Sequence, residues 1–257
     1  MRVLLFLLTL IIRSHAQDSI YEPVGHCSLK ISYKEFKLCY SPEHKLAKWA
    51  LHSLTLKHIE GSASRTNDYR ADPRLKDPVT RNDYRSSGYD RGHLVPAADR
   101  KNSHESMSET FYMTNMTPQH PSFNRGIWLS LERHLRKLVV KYGDAIIISA
   151  PHLHQGLRKF QKGMSLPDEH YKIIFWPTLN KAFAYLIPNE GARGRKISDF
   201  QVTINSLEEL TQLDFFSSLD DRIEEEMEES LEESEEENKA YKKKVKEMNS
   251  SLIQFEA

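Results

Sequence analysis

The apolar segments of this chain are short and lie between turn-forming residues, which limits the folds that the chain can adopt. Five segments are rich in β-branched or aromatic side chains and are predicted as strands: 49–59, 111–115, 145–150, 172–176 and 182–187. One longer segment, 125–142, places apolar residues at steps of three and four, which predicts a helix with one buried face. Few helices among several strands favour an α+β fold over a regular alternation of the two.

Charge is divided unevenly along the 257 residues. The whole chain is neutral, but residues 220–257 carry 14 acidic and 6 basic side chains. Residues 1–219 therefore hold 30 basic against 22 acidic side chains, a net charge of +8. A basic body favours an anionic partner such as nucleic acid.

The N-terminus reads MRVLLFLLTLIIRSHA, with a basic start, an apolar run and a small-residue end. This pattern is typical of a secretory signal peptide over residues 1–16, so we expect the protein to be exported. A mitochondrial targeting peptide is the alternative, although such peptides are amphipathic and rich in arginine. The run is too short to span a membrane, and no later segment looks like a transmembrane helix.

Cys27 and Cys39 are the two cysteines of the chain, and both follow the expected cleavage point closely. In an exported protein an even number of cysteines favours a disulfide, so we expect these two to be paired. The alternative is two free, buried thiols.

The chain changes character after residue 219. Ten glutamates fall within residues 224–237, and a lysine cluster follows at 239–246. Beneath these charges a four-three alternation marks a heptad seam: Met227, Leu231, Ser234, Asn238, Tyr241, Val245, Met248, Leu252 and Phe255. We predict a domain over 17–219 and a helical or disordered tail over 220–257, whose seam would allow a coiled-coil homodimer.

Residues 88–102 read GYDRGHLVPAADRKN and crowd several reactive groups together. In an extended segment Arg91 and His93 lie on the same face, because they are two residues apart. Gly92 permits close approach of a backbone or a ligand, and Pro96 discourages continuation of the strand. We predict the end of a strand that presents a base and a phosphate-binding group, although such a tetrapeptide alone is more often structural than catalytic.

A second polar set lies in residues 111–136, FYMTNMTPQHPSFNRGIWLSLERHLR. Asn124 stands at the start of the predicted helix, and Glu132 and Arg136 share a face one turn apart. An amide oxygen suits Mg²⁺, a nearby carboxylate can orient the water around it, and an arginine can hold a phosphate bidentately. The ordinary alternatives are a helix N-cap for Asn124 and a surface ion pair for the other two.

Together these segments resemble the DNA/RNA non-specific endonucleases, the family that includes endonuclease G. The resemblance runs from about residue 49 to residue 219 and is carried by two sets of motif residues. They are Asp90, Arg91, Gly92, His93, Pro96, Ala97 and Asp99, followed by Phe111, Tyr112, Asn115, Pro118, Gln119, Phe123, Asn124, Trp128 and Glu132.

The resemblance implies a ββα-metal fold with a central antiparallel or mixed sheet flanked by helices, built around one Mg²⁺ ion for which Mn²⁺ can substitute. It assigns His93 as general base, Asn124 as the single direct metal ligand and Glu132 as a holder of the water around the metal. Arg91 and Arg136 would contact phosphate, and Asn115 would help to arrange the site. Arg65 falls near a further substrate-contacting arginine of the family, within a looser local match.

The function implied is hydrolysis of DNA and RNA without sequence specificity, leaving 5′-phosphate ends. Contacts to phosphates carry no sequence information, which fits this breadth. Two alternatives stay open: a catalytically silent protein that binds nucleic acid or another protein, and a phosphodiesterase that acts on a smaller diester. Every motif position holds a competent residue type, which argues against the silent protein.

Overall fold

The computed structural model describes residues 19–217 and residue 219. The predicted leader peptide over 1–16 and the predicted tail over 220–257, with its heptad seam, lie outside the described residues. No helix in the described part is both long enough and apolar enough to cross a membrane.

Seven strands pair antiparallel in one sheet: β1 (Leu29–Ser32), β2 (Lys37–Ser41), β3 (Leu46–Leu54), β6 (Ala145–Pro151), β7 (Glu169–Trp176), β8 (Lys181–Pro188) and β9 (Gln201–Val202). Their order across the sheet is β1-β2-β3-β6-β7-β8-β9. Two further strands, β4 (Asp90–His93) and β5 (Met116–Gln119), pair with each other in a separate antiparallel ribbon. The observed fold is α+β, as predicted.

Four α-helices accompany the strands in the described residues: α1 (Leu56–Glu60), α2 (His104–Glu109), α3 (Leu129–Tyr142) and α4 (Ile204–Thr211). Strands β6 and β7 are buried on both faces, and alternate residues of each strand contribute to two different apolar clusters. Ile147 and Ile174 pack in one cluster with the apolar stripe of α3. Ile148 and Ile173 pack in the other, with residues of α4 and the segment that follows it. The sheet is therefore covered on both sides.

Three of the predicted strands are confirmed. Segments 145–150, 172–176 and 182–187 lie within β6, β7 and β8, each of which extends by one to three residues. The predicted helix 125–142 is confirmed from Leu129 onward, but it is preceded by a wider π-helical turn over Phe123–Trp128, with non-helical backbone angles at Gly126.

Two strand predictions were wrong in their bounds or position. The strand predicted over 49–59 is β3, which ends at Leu54 because Thr55 starts helix α1 and its N–H donates to His58 Nδ1 at 3.2 Å. The strand predicted over 111–115 is a turn, and β5 begins only at Met116. The turn forms because the side chain of Asn115 bonds the main chain of Val95 and of Thr110.

The predicted disulfide between Cys27 and Cys39 is present, with Cα atoms 5.7 Å apart. Cys39 lies on β2 and is fully buried, so the bond fastens the segment before β1 to the sheet. A crosslink of this kind stabilises a fold mainly by restricting the unfolded chain.

Candidate active site

The ribbon of β4 and β5 presents the first motif. Asp90 pairs with Gln119 and His93 with Met116, and β4 ends at His93, as the sequence predicts. The close approach expected at Gly92 is made by a side chain: a Cβ atom there would lie 2.0 Å from Cδ and Oε1 of Gln119. Any larger residue between Arg91 and His93 would therefore force the buried Gln119 side chain to move.

Three of the predicted site residues gather around a pair of aromatic rings. The Arg91 guanidinium lies 4.7 Å from the centre of the Tyr69 ring, and the His93 ring lies 5.9 Å from the same centre, so both project to one face. Phe111 contacts His93 edge-on at 4.9 Å. The guanidinium of Arg65 lies 4.8 Å above Phe111, which brings this loosely matched arginine to the motif histidine.

His93 is buried among these groups, with 9% of its surface exposed. Burial, together with the positive charges of Arg65 and Arg91, lowers its pKa to about 3. The imidazole is therefore neutral at pH 7, and one of its nitrogens can accept a proton. Its Nε2 atom has no hydrogen-bond partner among the described residues.

Asp90 joins the ribbon to the turn that precedes α3. Its Oδ2 accepts a hydrogen bond from Asn124 Nδ2 at 2.9 Å, and both of its oxygens accept from Arg125 at 2.8 and 2.5 Å. Burial alone would raise the pKa of Asp90, but the bonds from Arg125 and Asn124 outweigh it and hold the pKa below its ordinary value. Asp90 thus pairs with Arg125 and not with its neighbour Arg91.

The bond to Asp90 uses the amide nitrogen of Asn124 and leaves the amide oxygen for another ligand. A neutral amide oxygen is a donor that Mg²⁺ accepts, and Mg²⁺ keeps most of its waters in protein sites. No group of three or more His, Cys, Asp or Glu residues within the described chain is arranged to hold a metal. The amide oxygen of Asn124 fits a hydrated ion that is held through a single protein ligand.

Glu132 lies on α3, half-buried, and makes no hydrogen bond or ion pair within the described part of the chain. Burial is the main reason that its pKa is raised to about 7. The charge of Lys172 opposes this rise, and the charge of Asp99 adds to it. A partly buried carboxylate without a direct partner fits a residue that balances the charge of a cation and orients its water.

Arg136 does not form the surface ion pair with Glu132 that the helix spacing allows. Its Nη1 atom lies 2.6 Å from Oδ1 of Asp99, a buried residue of the turn that follows β4. Arg136 is itself largely covered, with 14% of its side chain exposed.

Asn115 lies below the surface of the site. It is fully buried, and its Oδ1 accepts from the N–H of Val95 while its Nδ2 donates to the carbonyls of Val95 and Thr110. These bonds fix the chain just after His93. They fit the predicted role of arranging the site, and they leave Asn115 out of reach of a substrate.

Sequence reasoning missed the residues that support the ribbon from the sheet. Lys172 is buried on β7, with its Nζ atom 2.6 Å from Ser149 Oγ and 4.5 Å from the centre of the Trp128 ring. Trp128 Nε1 in turn donates to the carbonyl of His93 at 3.4 Å. Strand alternation could have placed Lys172 on the same inward face as Ile174, but nothing local to the sequence links it to His93.

Two antiparallel strands and a following helix carry the candidate histidine, the asparagine and two of the arginines, which is the arrangement of a ββα-metal fold. The family model for DNA/RNA non-specific endonucleases matches residues 20–222. The chain therefore belongs to that family, whose members are hydrolases of nucleic acid.

Individual relatives agree with this. The chain is 29% identical to the mitochondrial nuclease EXOG of Danio rerio, over 80% of this chain and 68% of the relative. It is 33% identical to a nuclease of a Nostoc strain, over 74% of each. Its fold matches a chain in the crystal structure of the EndoG/EndoGI complex with a TM-score of 0.75 and 27% identity, over 80% of this chain and 92% of that one. The mouse nuclease EXOG is matched over only 57% of its own length.

Proposed function

We propose that this protein is a Mg²⁺-dependent endonuclease that hydrolyses phosphodiester bonds of DNA and RNA without sequence specificity. Mn²⁺ is proposed to substitute for Mg²⁺. The observation that carries the proposal is the 2.9 Å bond from Asn124 to Asp90, which brings the strand motif and the helix motif into one site. The two motifs are 34 residues apart in sequence, so their meeting is a property of the fold.

His93 is the proposed general base. A neutral imidazole can take a proton from water as that water attacks phosphorus, and general-base catalysis of this kind contributes about 10²–10⁴ in rate. The arginines around His93 lower its pKa and would also bind the phosphate, which keeps the base unprotonated where the anion binds. Attack by water with departure of the 3′-oxygen leaves a 5′-phosphate end.

Asn124 would hold the metal through its amide oxygen, and Glu132 would orient the water around it. A divalent cation bound there supplies positive charge for the departing oxygen. Arg65, Arg91 and Arg136 are the proposed phosphate contacts, while Asn115 acts through the main chain after His93. Since none of these groups reads a base, the site would accept both DNA and RNA.

We further propose that the protein is exported. The apolar run at the N-terminus supports this, and so does the disulfide, which is favoured in oxidising compartments. The relatives named as mitochondrial favour mitochondria instead. Expression of the full chain with a C-terminal tag, followed by fractionation, decides: tagged protein in the medium supports export, and tagged protein in mitochondria overturns it.

The central test is digestion of plasmid DNA and of RNA in parallel, with Mg²⁺ or with EDTA. We expect digestion with Mg²⁺ alone, 5′-phosphate ends on the products, and a loss of about 10²–10⁴ in rate for His93→Ala. His104→Ala, on the exposed start of α2, is the matched control and should cut normally.

Folded wild-type protein that shows no metal-dependent digestion would overturn the proposal in favour of a silent binding protein. A comparison of plasmid with dinucleotide substrates tests the remaining alternative. If the dinucleotide is cut as efficiently as the polymer, the natural substrate is a smaller diester.

A further inference from the structure

Arg136 ends a buried chain of side chains that crosses three elements. His52 lies on β3, Asp99 closes the short turn after β4, and Arg136 lies on α3. Asp99 Oδ2 is 3.2 Å from His52 Nε2, and its Oδ1 is 2.6 Å from Arg136 Nη1. The exposed fractions of the His52 and Asp99 side chains are 0% and 4%, so water cannot replace these contacts.

The protonation states along this chain are set by burial. Burial and the charge of Arg100 lower the pKa of His52 to about 3, so its ring is neutral. Burial would raise the pKa of Asp99, but the bonds and charges of His52 and Arg136 lower it to about 2, so Asp99 is ionised. A neutral ring facing a carboxylate must carry its proton on Nε2, which makes His52 the donor to Asp99.

An ionised carboxylate that is buried needs a fixed cation beside it. The ion pair with Arg136 supplies that cation through Nη1 alone. No other nitrogen of this guanidinium bonds a residue in the described ranges, and none is completely buried without a partner. The remaining nitrogens of the Arg136 guanidinium are therefore available to bind a second anion besides Asp99.

A free arginine side chain loses rotamer entropy when it is immobilised. Because Asp99 anchors Arg136, this entropy is lost when the protein folds and not when the substrate binds. The ion pair also fixes the plane of the guanidinium. Bidentate binding of a phosphate depends on that plane.

We propose that Asp99 and His52 are positioning residues that hold Arg136 in the orientation in which it binds the phosphate of the substrate. The proposal rests on the proposed function of Arg136. Asp99 would act through Arg136 and would touch neither substrate nor metal.

The test is a cycle of four proteins: wild type, Asp99→Asn, Arg136→Ala and the double variant. We expect Asp99→Asn to lower kcat by about 10- to 100-fold, since a misplacement near 1 Å can cost that much. Arg136→Ala should lower kcat at least as far. The double variant should be no slower than Arg136→Ala, because Asp99 has nothing left to position.

Binding of an oligonucleotide in EDTA gives a second readout that needs no turnover. Arg136→Ala should reduce the slope of log affinity against log salt by about 1, because one phosphate contact is lost. Asp99→Asn leaves the guanidinium of Arg136 in place, so the salt dependence of its affinity should equal that of wild type. The substitution should weaken binding in the protein that has Arg136 and should have no effect in Arg136→Ala. A residue that merely stabilises the fold would not produce this dependence on Arg136.

Asp72→Asn is the matched control. Asp72 is also a fully buried carboxylate that binds an arginine, Arg74, but it contacts none of the residues that we propose to bind the substrate. The Asp72→Asn substitution should lower Tm and leave kcat unchanged. If Asp99→Asn fails to fold, His52→Leu and His52→Gln replace it in the test. His52→Leu removes the hydrogen-bond donor to Asp99 and should slow turnover. His52→Gln supplies an amide donor and should turn over faster than His52→Leu.

If Asp99→Asn has the kcat of wild type, the inference is wrong. It is also wrong if Asp99→Asn lowers kcat by the same factor in Arg136→Ala as in wild type. Wild-type protein that binds but does not cut would overturn the proposed function alone. The affinity cycle would still decide whether Asp99 acts through Arg136.

Discussion

Glu132 illustrates how one residue of this site is kept at a cost to stability. Its carboxyl is half-buried and has no direct partner in the described chain, and its pKa is raised to about 7. In the unfolded chain the pKa of a glutamate lies near 4.5. Because the folded value is the higher one, the native state binds the proton more tightly, and stability falls as pH rises from about 4.5 through 7.

Glu132→Gln should therefore stabilise the protein above pH 7, by about 3 kcal/mol at pH 8, and the gain should vanish near pH 4.5. Thermal unfolding in EDTA at the two pH values measures this. The same variant should lose activity, since an amide cannot balance the charge of a cation. Glu190→Gln, at an exposed carboxylate, is the control and should change Tm little. Equal Tm values for wild type and Glu132→Gln at pH 8 would contradict the account.

Individual candidate site residues could be predicted from the sequence because their spacing and types resemble a family, whereas their contact partners could not. The pairing of Arg136 with Asp99, which is 37 residues away, has no local signal. The burial of Lys172 beneath Trp128 joins residues 44 positions apart. Such contacts follow from how the elements pack, and a single sequence does not record that packing.

At the scale of elements, the ribbon depends on a glycine. Gly92→Ala would place a methyl group 2.0 Å from the Gln119 side chain, whose amide is buried without a partner among the described residues. We expect a loss of about 1–3 kcal/mol in the free energy of unfolding, as for other overpacked sites, and a lower kcat because His93 is adjacent.

The double variant Gly92→Ala/Gln119→Ala is the control for this prediction. Removing Cγ, Cδ and the amide of Gln119 relieves the contact, so Tm should return toward that of Gln119→Ala alone. If the double variant is as unstable as Gly92→Ala, the clash with Gln119 is not the cause.

Elements were predictable where apolar residues form a continuous run, as in segment 145–150, or recur at helical spacing, as in segment 125–142. The strand prediction for segment 111–115 failed because the hydrogen bonds of Asn115 to the main chain of Val95 and of Thr110 override the strand propensity of its side chains. β1 and β2 were missed because they are only four and five residues long. Short strands of this kind gain their stability from pairing, which has little signature in sequence.

At the scale of the whole molecule, charge is segregated between a basic body and an acidic segment over 224–237. If those glutamates compete with nucleic acid for the basic site, deletion of residues 220–257 should increase affinity and activity at low salt. Salt screens both interactions, so the difference should shrink as ionic strength rises.

The described chain ends at Leu219, which packs with the cluster on the face of the sheet opposite α3. The 38 residues that follow could span about 125 Å if fully extended, enough to reach around a domain of this size. Digestion rates of the full chain and the truncated chain over a salt series test the prediction. Identical kinetics at every salt concentration would exclude competition by the tail.

The separation of the ribbon from the seven-stranded sheet has a consequence for how such proteins can diverge. Apart from Arg65, which lies in the loop after α1, the groups proposed to carry out the reaction lie on β4, on the turn before α3 and on α3 itself. The large sheet supports them from beneath through residues such as His170 and Lys172. The outer strands can therefore accumulate substitutions, insertions or new surfaces without disturbing the reacting atoms. Laboratory recombination that exchanges those outer strands between family members should yield active hybrids far more often than exchange of the ribbon without its helix.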